Sequence, residues 1–401
     1  MHSQPGGSLA DTARGAIAAE VIGACVHCGL CNAACPTYRL TGDELDGPRG
    51  RLYLLKQAVE AEAVGAITQH HLDRCLECRA CESACPSGVA YHRLYDIGRE
   101  TVGEQVRRPA AERWRAWAIR TLVRWPWLTG ALFDLARAGR GVLPRRLARL
   151  TPPKRPAGPW PKPAHGRRLL ILGGCVQSAA APAFNAATAR VFDKLGVSLV
   201  ERGGCCGAVD FHLGAGHAAR ARARRQIAAL ERDFAHGFEA LVVNASGCAA
   251  FIRDWPDLLA DEPAWADRAR AVVARLKDPV EVLAPLIDGP PRPPTETLVA
   301  LHVPCTLAHG PALGGAVEAL LARLGYPMAA VAGQGQCCGS AGAYSLLQPE
   351  ISGRLREERL AALHAQSPAM ICTANIGCWL HLQAASATPV RHWIEAVEAA
   401  L

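Results

Sequence analysis

Two cysteine runs near the start of the chain constrain its fold more than any other feature. They occupy residues 25–36 (CVHCGLCNAACP) and 75–86 (CLECRACESACP), and both have the spacing C-x2-C-x2-C-x3-C-P. Proteins that bind two iron–sulfur clusters use this spacing, with three cysteines of a run on one cluster and the fourth on the other. The sequence therefore predicts two [4Fe-4S] clusters. Their predicted ligands are Cys25, Cys28, Cys31 and Cys85 for cluster 1, and Cys35, Cys75, Cys78 and Cys81 for cluster 2.

Zinc and disulfide bonds are the alternatives for these cysteines. Zinc sites also use C-x2-C pairs, but zinc gives no reason for a third cysteine and a Cys-Pro ending that occur twice. The chain has 17 cysteines and no basic, then apolar, leader at its N-terminus. Because thiols in a reducing compartment more often bind metals than form disulfides, we expect a cytoplasmic metalloprotein. No apolar stretch is long enough to predict a membrane span.

Helices are predicted around and between the two cysteine runs. Residues 10–24 precede the first run, a Gly-Pro turn at 47–48 starts a stretch with helical spacing of leucines, and residues 66–74 lead into the second run. This pattern predicts a helical ferredoxin domain over residues 1–100. Within it, Arg49 and Arg51 either stand near a cluster and favour its reduced state or form a solvated helix start.

The segment 101–165 is basic and rich in tryptophan. It holds 14 Lys and Arg against three acids, and five of the nine tryptophans. Trp114, Trp117, Leu122 and Trp125 fall on one helical face with arginines mostly beside it, a pattern typical of a helix in a membrane interface. The alternative is a face that packs on a partner subunit or on the chain's own domains. One basic segment between near-neutral domains indicates a docking surface rather than nucleic-acid binding.

Six prolines between residues 152 and 163 predict an extended linker, and the chain beyond it is an internal duplication. Segments recur at offsets of 130 to 132 residues. Short apolar runs at 169–172, 197–200, 241–243, 298–301 and 371–374 alternate with helical stretches. This alternation predicts two α/β lobes with parallel sheets, at 166–290 and 296–401, joined by a proline-rich segment at 289–295 and facing each other across a cleft. The predicted fold class is α+β multidomain.

Each copy carries a second cysteine pattern: one cysteine, then Cys-Cys-Gly, then Gly-Cys. These candidate ligands of a third site are Cys175, Cys205, Cys206, Cys248, Cys305, Cys337, Cys338 and Cys378. They are consistent with a further cluster, a zinc ion or a reactive thiol set, or with buried free thiols. His212, His302 and His309 flank them and are candidates to donate to a cluster sulfur or to relay a proton. Cys372 has no counterpart in the first copy and is predicted to be a buried strand residue.

These motifs together resemble the iron–sulfur subunit family of glycolate oxidase. The resemblance covers nearly the whole chain in order: the double cluster run, GPRGR between its halves, the basic linker, and two Cys-Cys-Gly domains ending in NASGC and NIGC. Subunits of heterodisulfide reductases and of anaerobic glycerol-3-phosphate dehydrogenase share these parts. In the heterodisulfide reductase type each such domain ends in C-x-x-C and holds a noncubane cluster. Here Cys248 and Cys378 lack that further cysteine, which argues against such clusters.

The resemblance implies an electron-transfer subunit without catalytic residues of its own. Glycolate would be oxidised to glyoxylate at a flavin on partner subunits, and this chain would pass the electrons towards a quinone or similar acceptor, at or near a membrane surface. The sequence has no G-x-G-x-x-G after a strand and thus no evident flavin site. The alternatives are a redox subunit acting on thiols or quinone, as in the two other families, and a zinc-holding scaffold.

Overall fold

The computed structural model describes residues 2–61, 64–142, 151–287 and 295–401. The chain starts as a helical domain that carries both cysteine runs. Its helices are α1 (Ala13–Ala24), α2 (Leu30–Ala34), α3 (Pro36–Thr41), α4 (Pro48–Val59), α5 (Ala66–Asp73), α6 (Ala80–Ser83) and α7 (Tyr91–Gln105). The three helices expected from the pattern are α1, α4 and α5. The last helix of the domain runs to Gln105, five residues past the predicted boundary.

The core of this domain is the contact between α4 and α7. Leu55 and Leu94 are fully buried in it, together with Ile22 and Leu72 from the flanking helices. The helices approach closely at Gly98, where a Cβ atom would lie 2.5 Å from a methyl carbon of Leu55. Burial of apolar area is the main stabilising term here. The two cysteine runs pack beside this pair, and their short helices α2 and α6 are in contact with each other.

Two further helices follow, α8 (Ala110–Arg124) and α9 (Pro126–Ala138). Pro126 ends one helix and occupies the first turn of the next, where its missing N–H costs nothing. The proline-rich segment at 152–163 has no helix or strand, as predicted, but it is not free of the body. The Trp160 indole donates to the carbonyl of Leu199 at 3.3 Å, and Arg155 pairs with Glu395 at 3.0 Å.

The first cysteine-rich copy is an α/β unit with a parallel sheet of strand order β2-β1-β3-β4. Its elements are β1 (Arg167–Leu172), α10 (Val176–Ala180), α11 (Ala183–Lys194), β2 (Val197–Arg202), α12 (Ala208–His212), α13 (Gly216–Ala235), β3 (Leu241–Val242), α14 (Ser246–Arg253), α15 (Trp255–Leu258), α16 (Pro263–Val273), β4 (Leu276–Lys277) and α17 (Pro279–Leu286). Leu169 of β1 lies opposite Leu199 of β2, and the neighbouring pairs are in register.

The second copy repeats this plan with strand order β5-β6-β7, also parallel. Its elements are β5 (Val299–His302), α18 (Cys305–Ala308), α19 (Gly314–Arg323), α20 (Tyr344–Leu347), α21 (Pro349–His364), β6 (Met370–Thr373), α22 (Ile376–Gln383), β7 (Val390–His392) and α23 (Trp393–Ala400). The strand of the second copy that corresponds to β2 is reduced to a single bridge between Val299 and Met328, because Pro327 has no N–H to donate to a strand ladder.

The fold class predicted from the sequence, α+β with two parallel-sheet lobes, is confirmed by this architecture. The five predicted strands are present, whereas β4 and β7 were not expected. Cys372 lies in β6 and is fully buried, as predicted. The predicted joint at 289–295 lies almost wholly outside the described residues, as does the lobe boundary at 290.

The two copies do not face each other across an open cleft, so that expectation is wrong. One apolar core contains residues of both, including Phe192 of α11 and Trp393 of α23, which are completely buried. Hydrogen bonds tie the segment that follows β3 to the second copy: His392 Nε2 of β7 donates to the carbonyl of Asn244 at 2.9 Å, and the Gly247 amide donates to Asn375 Oδ1, just after β6, at 3.2 Å. Both strand-end loops therefore lie at one shared interface.

Among the described residues, no helix combines the length and the apolar composition needed to cross a membrane.

Candidate iron–sulfur and thiol sites

The cysteines of the two runs line two separate pockets. Cys25, Cys28, Cys31 and Cys85 line the first, and the wall also includes Cys81. The second pocket is lined by Cys35, Cys75, Cys78 and Cys81. The fourth cysteine of each run thus faces the pocket of the other run, which is the grouping that the spacing rule predicts.

Left-handed residues between the cysteines shape both runs. His27 and Gly29 have φ of 57° and 79°, and the corresponding Glu77 and Arg79 have φ of 53° and 61°. Each such residue reverses the chain direction, so that successive thiols point to one side. Glycine is needed at position 29 for a second reason, since a Cβ there would lie 2.6 Å from a guanidinium nitrogen of Arg49.

Burial makes these thiols poor acids in the absence of a metal. It raises the pKa of Cys31 and of Cys75 to about 11, and it raises the pKa of Cys78 and Cys81 well above the usual value. A metal that binds these four thiols has to displace their protons. Buried thiols of this kind are suited to binding a metal, because the positive charge of the metal stabilises the thiolate form.

A buried ion network supports the second pocket. Asp46 is fully buried and accepts hydrogen bonds from His71 Nδ1 at 2.9 Å and Arg74 Nη1 at 2.7 Å. Its Oδ1 also lies 3.5 Å from Arg51 Nη2. Arg51, itself 1% exposed, donates from Nε to the carbonyl of His71 at 2.8 Å and from Nη1 to Thr37 Oγ1 at 3.1 Å. The network fixes the guanidinium in the wall of the pocket.

Two donors in that wall have no hydrogen-bond partner among the described residues: Arg51 Nη2 and the hydroxyl of Tyr91. Orphaned buried donors are costly, and here they stand beside four thiols. An anionic [4Fe-4S] cluster would accept both hydrogen bonds on its sulfurs, so the residues present fit such a group. Arg49, in contrast, lines the first pocket and forms a half-exposed ion pair with Glu44 at 2.7 Å.

In the first cysteine-rich copy, the four predicted cysteines lie at the ends of the parallel strands. Cys175 follows β1, Cys205 and Cys206 follow β2, and Cys248 lies in α14 after β3. The sulfurs of Cys175 and Cys205 are 3.3 Å apart. Their shared hydrogen bond raises the pKa of Cys175 and lowers that of Cys205. Cys205 and Cys248 are partly exposed, so this set is open on one side.

In the second copy, the four predicted cysteines are all buried. Cys305 opens α18, Cys337 and Cys338 lie in the loop before α20, and Cys378 lies in α22. The Sγ atoms of Cys338 and Cys378 lie within 4.8 Å of each other and of a ring nitrogen of His302. Cys305 and Cys337 pack in one buried cluster with Cys78 of the ferredoxin domain, whereas Cys338 and Cys378 share a second cluster against which Cys248 of the first copy packs.

The three flanking histidines have different partners. His212 Nδ1 lies 2.8 Å from Glu77 Oε2, inside the second cluster run. His309 Nδ1 lies 2.8 Å from Ser83 Oγ, and its Nε2 donates to the carbonyl of Gly335 at 3.0 Å. Both therefore join the ferredoxin domain to a cysteine-rich copy. His302 alone points into a thiol group.

The ferredoxin domain contacts the two copies through different chemistry. Ion pairs hold it to the first copy, including Arg93 with Asp257 at 2.8 Å and His212 Nδ1 with Glu77 Oε2 at 2.8 Å. Burial would raise the pKa of Glu77, but the charge and hydrogen bond of His212 and the charge of Arg99 hold it at about 2.

Against the second copy the ferredoxin domain packs apolar groups and thiols. The residues of this contact are Leu76, Cys78, Cys305, Cys337, Tyr344 and Leu355. The hydroxyl of Tyr344 also donates to the carbonyl of Arg74 at 3.1 Å. The cluster 2 pocket and the second thiol group are therefore adjacent.

The tryptophan face of α8 points away from the body. Trp114, Trp117 and Trp127 are 66%, 58% and 69% exposed, and Trp125 is 47% exposed. The helix is nevertheless tied to the first copy, because Arg120 Nε donates to Asp210 Oδ1 at 2.8 Å. The amphipathic face predicted from the sequence thus lies on the surface and not against the chain's own domains.

Sequence reasoning missed the buried charges around these sites. Asp46 lies in the stretch GDELDG, which reads as a polar turn, and Arg359 lies in REERL, which reads as an exposed helix face. Both are at most 2% exposed. The spacing of apolar residues carries no signal that a charged side chain turns inward.

Comparisons with known proteins agree with this organisation. A family model described as a 4Fe-4S dicluster domain matches residues 21–89. A second model, described as a cysteine-rich domain, matches residues 169–253 and again 299–383. The two models cover the cysteine runs and both thiol copies, so the presence of [4Fe-4S] clusters, predicted from the spacing, is confirmed.

The chain is similar to curated proteins over all or part of its length. It is 46% identical to the "Glycolate oxidase iron-sulfur subunit" of Escherichia coli (strain K12), over 100% of this chain and 99% of that protein. It is 31% identical to the "Probable glycolate oxidase iron-sulfur subunit" of Bacillus subtilis (strain 168), over 90% and 88%. A "Lactate utilization protein A" of Bacillus subtilis (strain 168) is 23% identical over 49% of this chain.

Proposed function

The chain belongs to the family of glycolate oxidase iron–sulfur subunits, and from this membership we propose how it works within an oxidoreductase complex. It is an electron-transfer subunit. We propose that glycolate is oxidised to glyoxylate at a flavin on partner subunits and that this chain passes the electrons to a quinone or a similar acceptor. The observation that carries the proposal is the pair of pockets with four cysteines each.

The proposed ligands of cluster 1 are Cys25, Cys28, Cys31 and Cys85, and those of cluster 2 are Cys35, Cys75, Cys78 and Cys81. Bound there, the clusters would supply one-electron transfer. The protein's part is to exclude water, to supply eight thiols and to place donors at the second pocket. Because hydrogen bonds and positive charge stabilise a more negative cluster, Arg51, which lines only the second pocket, favours reduction at cluster 2 over cluster 1.

A cavity of about 300 Å³ between the ferredoxin domain and the second copy is the proposed acceptor site. Pro36 and Ala80, each next to a cluster 2 cysteine, form one wall, and Cys337 forms part of the other. Sites for small ring-shaped molecules combine apolar surface with a few convergent polar groups. Here the polar groups include Arg39, which can donate to a carbonyl oxygen of a quinone.

The exposed tryptophan face of α8 and α9 is the proposed contact with the membrane surface. Indole rings favour the interface between lipid and water, and basic residues around them are attracted to anionic headgroups. Trp114, Trp117 and Trp127 supply the rings, and the surrounding segment supplies the positive charge.

Metal and sulfide analysis of the anaerobically purified chain tests the cluster assignment. Two cubanes require at least about eight iron atoms per chain. Because each fourth cysteine serves the other cluster, Cys85→Ser should alter the EPR signal of cluster 1 and Cys35→Ser that of cluster 2. The reverse assignment of signals, or a chain that holds zinc alone, would contradict the proposal.

Co-purification tests the division of labour. The tagged chain, expressed together with its candidate partner subunits, should recover flavin-containing subunits. Glycolate-dependent dye reduction should then require both those subunits and this chain. Disulfide reduction by the isolated chain at a comparable rate would favour the thiol-reductase alternative. Binding of a short-chain quinone to the chain, weakened by Arg39→Ala, would locate the acceptor in the cavity.

A further inference from the structure

The second cysteine run is covered on one face by another domain. Leu76 and Cys78 are only 6% and 9% exposed, because they pack in one buried apolar group with Tyr344 and Leu355 of the second cysteine-rich copy. Ala80 packs against the same group. The apolar side chains of this run are therefore buried in a contact between domains.

The first run has the same face, but there it is open to solvent. The two runs match at an offset of 50 residues, so Val26, Cys28 and Leu30 stand where the second run has its three packed residues. We call these three residues the run 1 face. Val26 is 70% and Leu30 58% exposed, and among the cysteines, all of which the structure describes, only Cys28 is exposed. Exposed apolar groups whose counterparts are buried against a domain indicate a contact with another protein.

The surface around the run 1 face carries almost no charge. Residues 21–38, which include the first run, contain no Asp, Glu, Lys or Arg, and neither do residues 83–91, which contribute to the wall of the first pocket. The charged residue of that wall, Arg49, is neutralised by its ion pair with Glu44. Charged groups steer transient redox partners into contact. An apolar and uncharged face therefore fits a stably bound subunit better than a diffusing electron carrier.

The run 1 face reaches the proposed cluster 1 site directly. Cys28 and Val26 both belong to the wall of the first pocket, so a protein that covers the face contacts a proposed ligand of cluster 1. In the second pocket, Cys35 and Cys78 are buried. Because electron transfer slows steeply with distance, cluster 1 is the better placed of the two to exchange electrons with a separate protein.

We propose that the run 1 face is the docking surface for the flavin-containing partner subunit, whose own contact surface is apolar and uncharged. This inference rests on the proposed function, in which the flavin lies on a partner. The reduced flavin is the electron donor and the quinone or similar acceptor takes the electrons, two for each glycolate oxidised, so no further oxidant or reductant is required. The run 1 face thus corresponds to the face that the second cysteine-rich copy covers in the second run.

Leu30→Glu tests the face without a change in the pocket. The described wall of the first pocket does not include Leu30, and glutamate is favourable in the first turn of a helix. Iron content and the EPR signals of both clusters should therefore equal those of the wild type. Because a charge in an apolar contact is costly, the affinity of the cluster-loaded chain for the flavin-containing subunit should fall about tenfold or more.

Ile67→Glu is the matched control, because Ile67 is 69% exposed in α5 of the same domain and lies outside both runs. This variant should bind the flavin-containing subunit as the wild type does. Wild-type binding should persist in about 1 M salt, where charges are screened within about 3 Å, and it should slow amide hydrogen exchange in α2. Loss of wild-type binding in that salt would overturn the argument for an uncharged contact.

The outcomes separate this proposal from the proposed function. If Leu30→Glu and Ile67→Glu both bind the flavin-containing subunit as the wild type does, the docking surface is overturned and the proposed function stands. A wild-type chain that binds no flavin-containing subunit would instead contradict the proposed function. If the isolated wild type is a dimer that Leu30→Glu dissociates while partner binding is unchanged, the face belongs to a second copy of this chain, which also overturns the proposal.

Discussion

The buried carboxylate of Asp46 should be the most stabilising charged group in the ferredoxin domain. Asp46→Asn keeps the shape of the side chain but leaves Arg51, 1% exposed, without its counter-charge. It also removes the charge that faces His71 and Arg74. Removal of one partner from a buried ion pair costs about 3–5 kcal/mol. With a urea dependence of about 2–3 kcal/mol per molar, the unfolding midpoint should fall by roughly 1–2 M.

The assay is urea-dependent release of iron from the anaerobic, cluster-loaded chain, since Arg51 lines the proposed cluster 2 pocket. Asp267→Asn is the matched control, because Asp267 forms an exposed pair with Arg270 and exposed pairs contribute about 1 kcal/mol or less. If Asp46→Asn shifts the midpoint no more than the control does, the argument that Arg51 needs a buried counter-charge is refuted.

The same network sets a pH dependence. Burial would raise the pKa of Asp46, but the hydrogen bonds from His71 and Arg74 and the charge of Arg51 hold it below its usual value. The folded state therefore favours the ionised form, and its contribution to stability is present above about pH 4. This contribution is lost as the pH falls through the lowered folded-state pKa. The decline in stability of the wild type below pH 4 should be smaller in Asp46→Asn.

Three further outcomes follow from the structure. Trp114→Ser with Trp117→Ser should release the chain from anionic vesicles in sedimentation, whereas Trp265→Ser should not; retention of the double variant would assign this face to a protein partner. The facing cations hold the pKa of Glu77 at about 2 in spite of burial, so Glu77 stabilises the contact with the first copy above about pH 4 and loses that effect towards pH 2. Glu77→Gln should therefore show faster amide hydrogen exchange in α12 at pH 7. Unchanged exchange would contradict this. Burial raises the pKa of Asp278 to about 7, so stability falls as the pH rises from about 4 to 7; Asp278→Asn, still a helix cap, should exceed the wild type in thermal stability at pH 8 but not at pH 4.

The asymmetry between the two copies suggests how a duplicated domain can divide its roles. Both copies keep the Cys-Cys-Gly pattern, yet the ferredoxin domain contacts one through ion pairs and the other through thiols and apolar groups. Ion pairs fix the orientation of one domain on another. A water-free contact between cysteine-bearing surfaces favours electron transfer. The structural difference between the copies is thus the kind of surface that each presents to the ferredoxin domain.

The sequence by itself determined the features that depend on local spacing. Three cysteines at steps of three, with left-handed residues between them, can point to one centre only. The predicted grouping, in which three cysteines of one run join the fourth cysteine of the other run, therefore followed from the cysteine spacing. The alternation of apolar strands and helices likewise sufficed for the parallel sheets. Pro327 explains from the sequence why the second copy lacks a full counterpart of β2.

Only the tertiary structure decided which charged groups are buried and which copy meets cluster 2. Asp46, Arg51 and Arg359 occur in polar stretches without a distinctive spacing, and each is buried by elements distant in sequence. The copies are nearly equivalent as sequence patterns, so the contact of Cys78 with Cys305 could not be inferred from either. The direction of the tryptophan face is also a tertiary property, since periodicity fixes which residues share a face but not what that face meets.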